Sequence, residues 1–217
     1  MMNRDKNEYV DDEIWVTHFT LESALHFRQQ VRYAHMTDPA APIIVHINSY
    51  GGEVPALAMM LETMEEIPAS FVTIAQGAAI SCGAILLSHG DVRFCGPFTK
   101  VMIHNVSSGT YGDALGVQAD ALELLKVNEQ FIGLLAENCK IDYEALQHLI
   151  KEAPGSKELW LDAQEALKLG IVDHIGLPRI TMRAEPIFEM AELAPQKATK
   201  KKTSKTSAST PKKRKKK

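Results

Sequence analysis

Apolar residues follow two rhythms along the first 175 positions. Short β-branched or aliphatic runs at 14–19 (IWVTHF), 43–47 (IIVHI) and 71–75 (FVTIA) read as strands, and a helical spacing follows each. After the first run, Thr20 is placed to cap a helix with Leu21, Ala24, Phe27 and Val31 on one side. After the second, Asn48-Ser49-Tyr50-Gly51-Gly52 predicts a glycine turn. A helix then starts with Pro55 in its first turn and Leu57, Met60, Leu61, Met64 and Ile67 aligned. After the third, a glycine turn leads into a helix over 81–89. Repeated strand, turn and helix predict an α/β domain with parallel pairing, and the β-branched run at 43–47 suits a strand covered on both faces.

Beyond Gly90 the pattern predicts short strands near 92–94 and 101–103, then a polar loop over 105–112. A helix of more than 20 residues follows, from about 115 to 139, with Leu122, Leu125, Phe131, Leu134 and Leu135 as its larger apolar residues. It exceeds the usual globular helix, and such an element tends to project from an assembly or brace it. Asp142 caps a helix ending near Glu152, and Ala153-Pro154-Gly155 stops it. Asp162 and Glu165 form a capping-box pair for a helix over 163–169 that Gly170 closes, and 171–175 reads as the last strand.

Charge changes this picture at the C-terminal end. The 217 residues sum to −3, yet residues 197–217 carry eleven Lys and Arg and no acidic group, which leaves 13 basic against 27 acidic groups, or −14, in residues 1–196. A chain with nothing apolar to bury is expected to be disordered. The division expected is a short flexible N-terminus at 1–12, a folded domain at 13–192 and a Lys-rich tail at 193–217. The tail resembles a nuclear localisation signal, and it also suits a tether to nucleic acid, a contact with acidic bodies of neighbouring subunits, or a solvated appendage. No aromatic residue interleaves its lysines, so base stacking is not indicated.

Residues 67–90 contain no Asp, Glu, Lys or Arg, a length sufficient to cross a bilayer, but Pro68, Gln76, Gly77 and Gly83 divide the run into a buried strand, turn and helix. No membrane partner is expected. Cys82, Cys95 and Cys139 are too few and too scattered for a disulfide framework or a zinc site, so reduced thiols and a cytoplasmic setting are expected, with no cofactor. The N-terminus has no apolar stretch behind its charges and does not read as a secretory signal.

Candidate chemistry lies on the glycine turns. Ser81 follows Gly77-Ala78-Ala79-Ile80 where strand gives way to helix, so its hydroxyl stands at a helix N-terminus beside amides able to stabilise an oxyanion. The logic is that of a nucleophile elbow, although GxSxG is absent; an N-cap serine is the other reading. His104 ends the run 101–103 just before a glycine-bearing loop, and the other seven histidines have no comparable setting. A Ser-His pair also needs a carboxylate to fix the imidazole tautomer, and spacing does not choose among those available.

Five stretches in order carry a family resemblance: Ile47-Asn48-Ser49-Tyr50-Gly51-Gly52, Gly77-x-Ala79-x-Ser81-x-Gly83-Ala84, Arg93-Phe94-Cys95, Val101-Met102-Ile103-His104 and Glu165-Ala166-x-x-x-Gly170-Ile171-Val172-Asp173. From about Glu13 to Ile175 the chain resembles the proteolytic subunit of the Clp protease. The resemblance implies a crotonase-like α/β fold with a long handle helix and a serine endopeptidase acting on unfolded polypeptide. It implies homo-oligomeric rings, heptameric or stacked in pairs, fed by a hexameric ATP-driven AAA+ unfoldase. By position it makes Ser81 the nucleophile and His104 the general base, and it puts Gly51, Gly52 and the Cys82 amide at the oxyanion hole. The family's catalytic aspartate aligns with Glu158; Asp162 falls on a helix cap.

The sequence also departs from the family. Ser156-Lys157 replaces an Asp-Arg pair that links rings, Asn105-Val106-Ser107-Ser108-Gly109 replaces Gln-Pro-Leu-Gly-Gly, and Tyr50 replaces a proline. The N-terminal segment lacks most of what forms axial loops in the family. A catalytically silent ring subunit, or a protease dedicated to one partner such as a phage capsid precursor, are the competing readings. Acyl-CoA chemistry fits less well, since a Ser81/His104 pair is not needed to stabilise an enolate.

Overall fold

A computed structural model describes residues 13–155 and 157–179. The expected flexible N-terminus, Ser156, the domain boundary near 192 and the Lys-rich tail lie outside the described residues. The repeated rhythm folds as β1 (Ile14–Val16), α1 (Leu21–Thr37), β2 (Ile43–Ser49), α2 (Val54–Glu66), β3 (Phe71–Ile80) and α3 (Cys82–Ser88). Then come β4 (Val92–Cys95), β5 (Lys100–Ile103), α4 (Ala114–Cys139), α5 (Tyr143–Glu152), β6 (Leu159–Leu161), α6 (Ala163–Lys168) and β7 (His174–Ile175). The sheet runs β1-β2-β3-β4-β7, with β5 joining the far half of β3 and β6 joining β5. Every pairing is parallel except β5 with β6.

Local signals explain most element ends. Thr20 and Ser23 form a reciprocal capping box on α1, Pro55 sits in the first turn of α2, and Asp113, Asp142 and the Asp162–Glu165 box cap the later helices. Ile43, Val45 and Ile47 of β2 pack under α1 and α2, whose Phe27, Val31, Leu57 and Met60 are fully buried. Each such side chain contributes about 1.5–3 kcal/mol relative to exposure.

Four expectations are corrected. The first strand ends at Val16, because Phe19 makes only an isolated bridge to Gly52, and Leu21 is 64% exposed rather than part of the helix stripe. Gly77 lies inside a ten-residue strand instead of making the turn after it. Its φ of 87° breaks the ladder in place, so that Val72–Ala75 pair with β4 and Ala78–Ile80 pair with β5. A side chain there would also meet Asn48 Oδ1 at 2.9 Å. Ile171 and Val172 are buried but not extended, since the Ile171 amide closes α6 on the Ala166 carbonyl, and the last strand shrinks to His174–Ile175. The antiparallel β6 had no clear pattern in its three residues, Leu159-Trp160-Leu161.

One side chain ties several elements together. The Arg93 guanidinium on β4 donates to the carbonyls of Ser88 (3.5 Å), Asn138 (3.1 Å) and Gly170 (3.0 Å), at the ends of α3, α4 and α6. Its Nε and Nη2 also bind the Asp173 carboxylate at 3.0 and 2.7 Å. That contact holds the Asp173 carboxyl below the usual carboxylate range.

Candidate active site

Parallel strands β2 and β3 end side by side, and the two turns that leave them build one wall of a cleft. Ser81 joins β3 to α3 at φ 57°, ψ −118°, a backbone state that a residue with a side chain rarely adopts. Its amide donates to the Met102 carbonyl at 2.8 Å, and its carbonyl accepts from Ala84 and Ile85 as α3 begins. The hydroxyl makes no capping bond to the helix, so the N-cap reading of Ser81 as a side-chain acceptor is not what the geometry shows.

Gly51 lies directly against Ser81. A Cβ at Gly51 would fall 2.9 Å from Ser81 Cβ, at a φ of 93° that already disfavours a side chain. The Gly51 amide donates to Ser49 Oγ at 3.1 Å, whereas Gly52 lines the cleft. The Cys82 thiol donates to the Gly52 carbonyl at 3.4 Å and so ties α3 to the turn after β2. Burial pushes the Cys82 thiol pKa up, which keeps it protonated and a poor nucleophile. Tyr50, beside this turn, is 81% exposed.

The opposite wall comes from the end of β5. His104 Nε2 lies 2.8 Å from Ser81 Oγ, the distance of a hydrogen bond. Val101 to Ile103 pair with Leu161 to Leu159 in antiparallel register, and continuing that register by one pair sets Glu158 across from His104. Glu158 is half-buried, and its Oε2 accepts from Trp160 Nε1 at 3.1 Å. Asp162 serves as the N-cap of α6 and accepts from the Glu165 amide at 2.9 Å.

Between the walls is a cavity of about 60 Å³. Its apolar lining comes from Val54, Leu57, Ile85, Ile103, Phe131 and Ile132, and Val106 and Ser107 close it from the loop after His104. The loop itself is fixed by side chains that sequence reasoning did not single out. Asn128 of α4 accepts the Val106 amide at 2.8 Å, and Gln147 of α5 donates to Asn105 Oδ1 at 3.1 Å. A polar residue on the inward face of a helix, one turn before Phe131 and Ile132, is the signal that would have found Asn128.

The arrangement can deliver a serine hydroxyl polarised by an imidazole, next to a helix start and a glycine turn. Among the described residues no group of three or more His, Cys, Asp or Glu is placed to hold a metal ion, and no helix is long and apolar enough to cross a membrane.

Comparison with known proteins identifies the family. The family model described as Clp protease matches residues 13–179. The ATP-dependent Clp protease proteolytic subunit of Bacteroides thetaiotaomicron is 31% identical over 148 residues, which cover 67% of this chain and 65% of that protein. The chain therefore spans about 65% of the length of the curated relative it matches. By sequence, the chain belongs to the Clp protease family.

Proposed function

We propose that the chain is a serine endopeptidase that cleaves unfolded polypeptide. The observation that carries this reading is the 2.8 Å contact between His104 Nε2 and Ser81 Oγ, with Ser81 held at positive φ at the start of α3. In the proposed reaction Ser81 Oγ attacks the scissile carbonyl carbon while His104 Nε2 takes its proton. The negative charge that develops on the carbonyl oxygen is met by the amides of Gly52 and Cys82. Each such donor is worth about 3 kcal/mol of transition-state stabilisation. Gly51 supports this wall from behind, because its own amide is bound to Ser49. His104 then returns the proton to the leaving amine, and water releases the acyl group by the same steps in reverse. Glu158, across from His104 in the extended β5–β6 register, is the carboxylate that orients the imidazole.

The apolar cavity favours a small aliphatic or aromatic side chain on the residue whose carbonyl is attacked. In this proposal the chain forms oligomeric rings, and the first half of α4 offers an exposed apolar surface for them, with Leu115, Leu122 and Leu125 more than half exposed. The relative is named as ATP-dependent, and in this proposal an AAA+ unfoldase supplies that dependence.

Labelling with a fluorophosphonate tests the chemistry. The full-length protein is expected to be labelled at Ser81 and the Ser81→Ala protein to remain unlabelled; equal labelling of the two would overturn the assignment. A silent ring subunit is the second reading, favoured by the engagement of Glu158 with the Trp160 indole. It requires ring-sized particles with no peptide or casein hydrolysis at high protein concentration.

A further inference from the structure

The loop that follows His104 is held in place from another element. Val106 carries an N–H on a loop that leaves the end of a buried strand and lines the cleft, where an unbonded amide is costly. Asn128 Oδ1 accepts that amide at 2.8 Å. Only the oxygen of the Asn128 amide suits this contact, since the flipped group would set NH2 against N–H.

Asn128 is a half-buried polar residue beside an apolar helix face. It stands three, four and seven residues before Phe131, Ile132 and Leu135, on the inward face of α4, where those residues are all buried. Two of them, Phe131 and Ile132, line the cavity. Thus one helical face supplies both the floor of the cleft and the acceptor that fixes its rim. A second bond from the largely buried Gln147 on α5 holds the Asn105 side chain, so the residue next to His104 is fixed as well.

We propose that Asn128 is a positioning residue for His104: its bond to the Val106 amide fixes the loop and holds the imidazole in reach of Ser81 Oγ. The proposal rests on the serine-peptidase reading of Ser81 and His104. Asn128 touches neither reacting atom, so its effect passes through the loop. Displacement of a catalytic group by about an ångström can cost about 100-fold in rate.

Five full-length proteins test this: wild type, Asn128→Ala, Asn128→Asp, which keeps an acceptor oxygen, Val106→Pro, which removes the N–H, and Asn128→Ala combined with Val106→Pro. With a fluorogenic peptide, Asn128→Ala is expected to lower kcat by about 10- to 100-fold with KM within about threefold. Asn128→Asp is expected to stay within about threefold of wild type at the plateau of its pH profile. In the Val106→Pro background, Asn128→Ala is expected to change kcat by less than about twofold, because no N–H is left without a partner. Equal losses in both backgrounds, or equal damage from Ala and Asp, overturn the proposal.

Two readouts that need no turnover separate its failure from failure of the peptidase reading. In wild type and Asn128→Asp the Val106 amide is expected to be protected from hydrogen exchange and the His104 ring resonances to be the same, with both altered in Asn128→Ala. If wild type neither hydrolyses peptide nor takes a phosphonate, the peptidase reading fails, and these readouts still decide the positioning role. Free exchange at Val106 in wild type, or His104 resonances unchanged by Asn128→Ala, overturns it.

Discussion

The two walls of the cleft are built by different physics. The wall with Gly51, Gly52, Ser81 and Cys82 is made of strand ends and a helix start, and its geometry is set by steric limits: a positive φ at Ser81 and room for no side chain at Gly51. The wall with His104, Val106 and Ser107 is made of a strand end and a loop, and side chains from α4 and α5 hold that loop. Steric constraints leave few substitutions that work, whereas a hydrogen bond can be supplied from more than one place. The second wall accordingly depends on residues distant in the chain, Asn128 and Gln147, while the first is fixed by its own glycines and serine.

Three substitutions would break or sharpen that contrast. Glu158→Gln, at the carboxylate proposed to orient His104 of the second wall, is expected to give the largest loss, about 1,000-fold in kcat/KM for peptide hydrolysis, because a neutral amide no longer stabilises the imidazolium. Unchanged kinetics would remove Glu158 from the machinery. On the first wall, Gly51→Ala is expected to lower kcat by about 100-fold by pushing Ser81 aside, and to cost about 1–2 kcal/mol of stability through its φ of 93°. Wild-type rates in a folded Gly51→Ala protein would show that the first wall yields more than its geometry implies.

The smallest effect concerns the strand beneath the first wall. His46 of β2 is buried, stacks on Trp15 with ring centroids 4.7 Å apart, and has no hydrogen-bond partner for either ring nitrogen. Burial lowers its pKa below the usual 6.5, with the charge of Glu13 opposing. The unfolded chain therefore binds the proton first as pH falls. Stability from this site is complete above pH 6.5, declines as pH drops toward the folded pKa, and levels off below it. His46→Phe keeps an aromatic ring against Trp15 and is expected to flatten the denaturation curve below pH 6.5, by at most about 1.4 kcal/mol per pH unit. An identical pH slope in wild type and variant would assign the acid sensitivity elsewhere.

Legibility in the sequence followed the same division. Strand and helix rhythm identified the parallel units, and caps such as Asp142 and Asp162 marked helix starts, because those signals are local. Gly77 misled, since a glycine at positive φ can bend a strand as readily as end it, and only the pairing partners on β4 and β5 decide which. The strand β6 was illegible for a related reason: three residues carry too little pattern, and their extension depends on pairing with β5. Ser81 and His104 stood out by their place at element ends, and the resemblance joined them. Asn128 and Gln147 did not, because their partners lie 22 and 42 residues away, and only Asn128's place on an apolar helix face pointed to it.

The grip of Arg93 on three helix ends has a consequence for how the molecule comes apart. Losing that guanidinium's position releases the C-termini of α3, α4 and α6 together, along with the Asp173 turn before β7. These segments are far apart in sequence but share one cooperative opening event. Amides in the last turns of the three helices should exchange with a common free energy, and the helix that begins at the nucleophile cannot fray from its far end without loosening the base of the helix that floors the cleft.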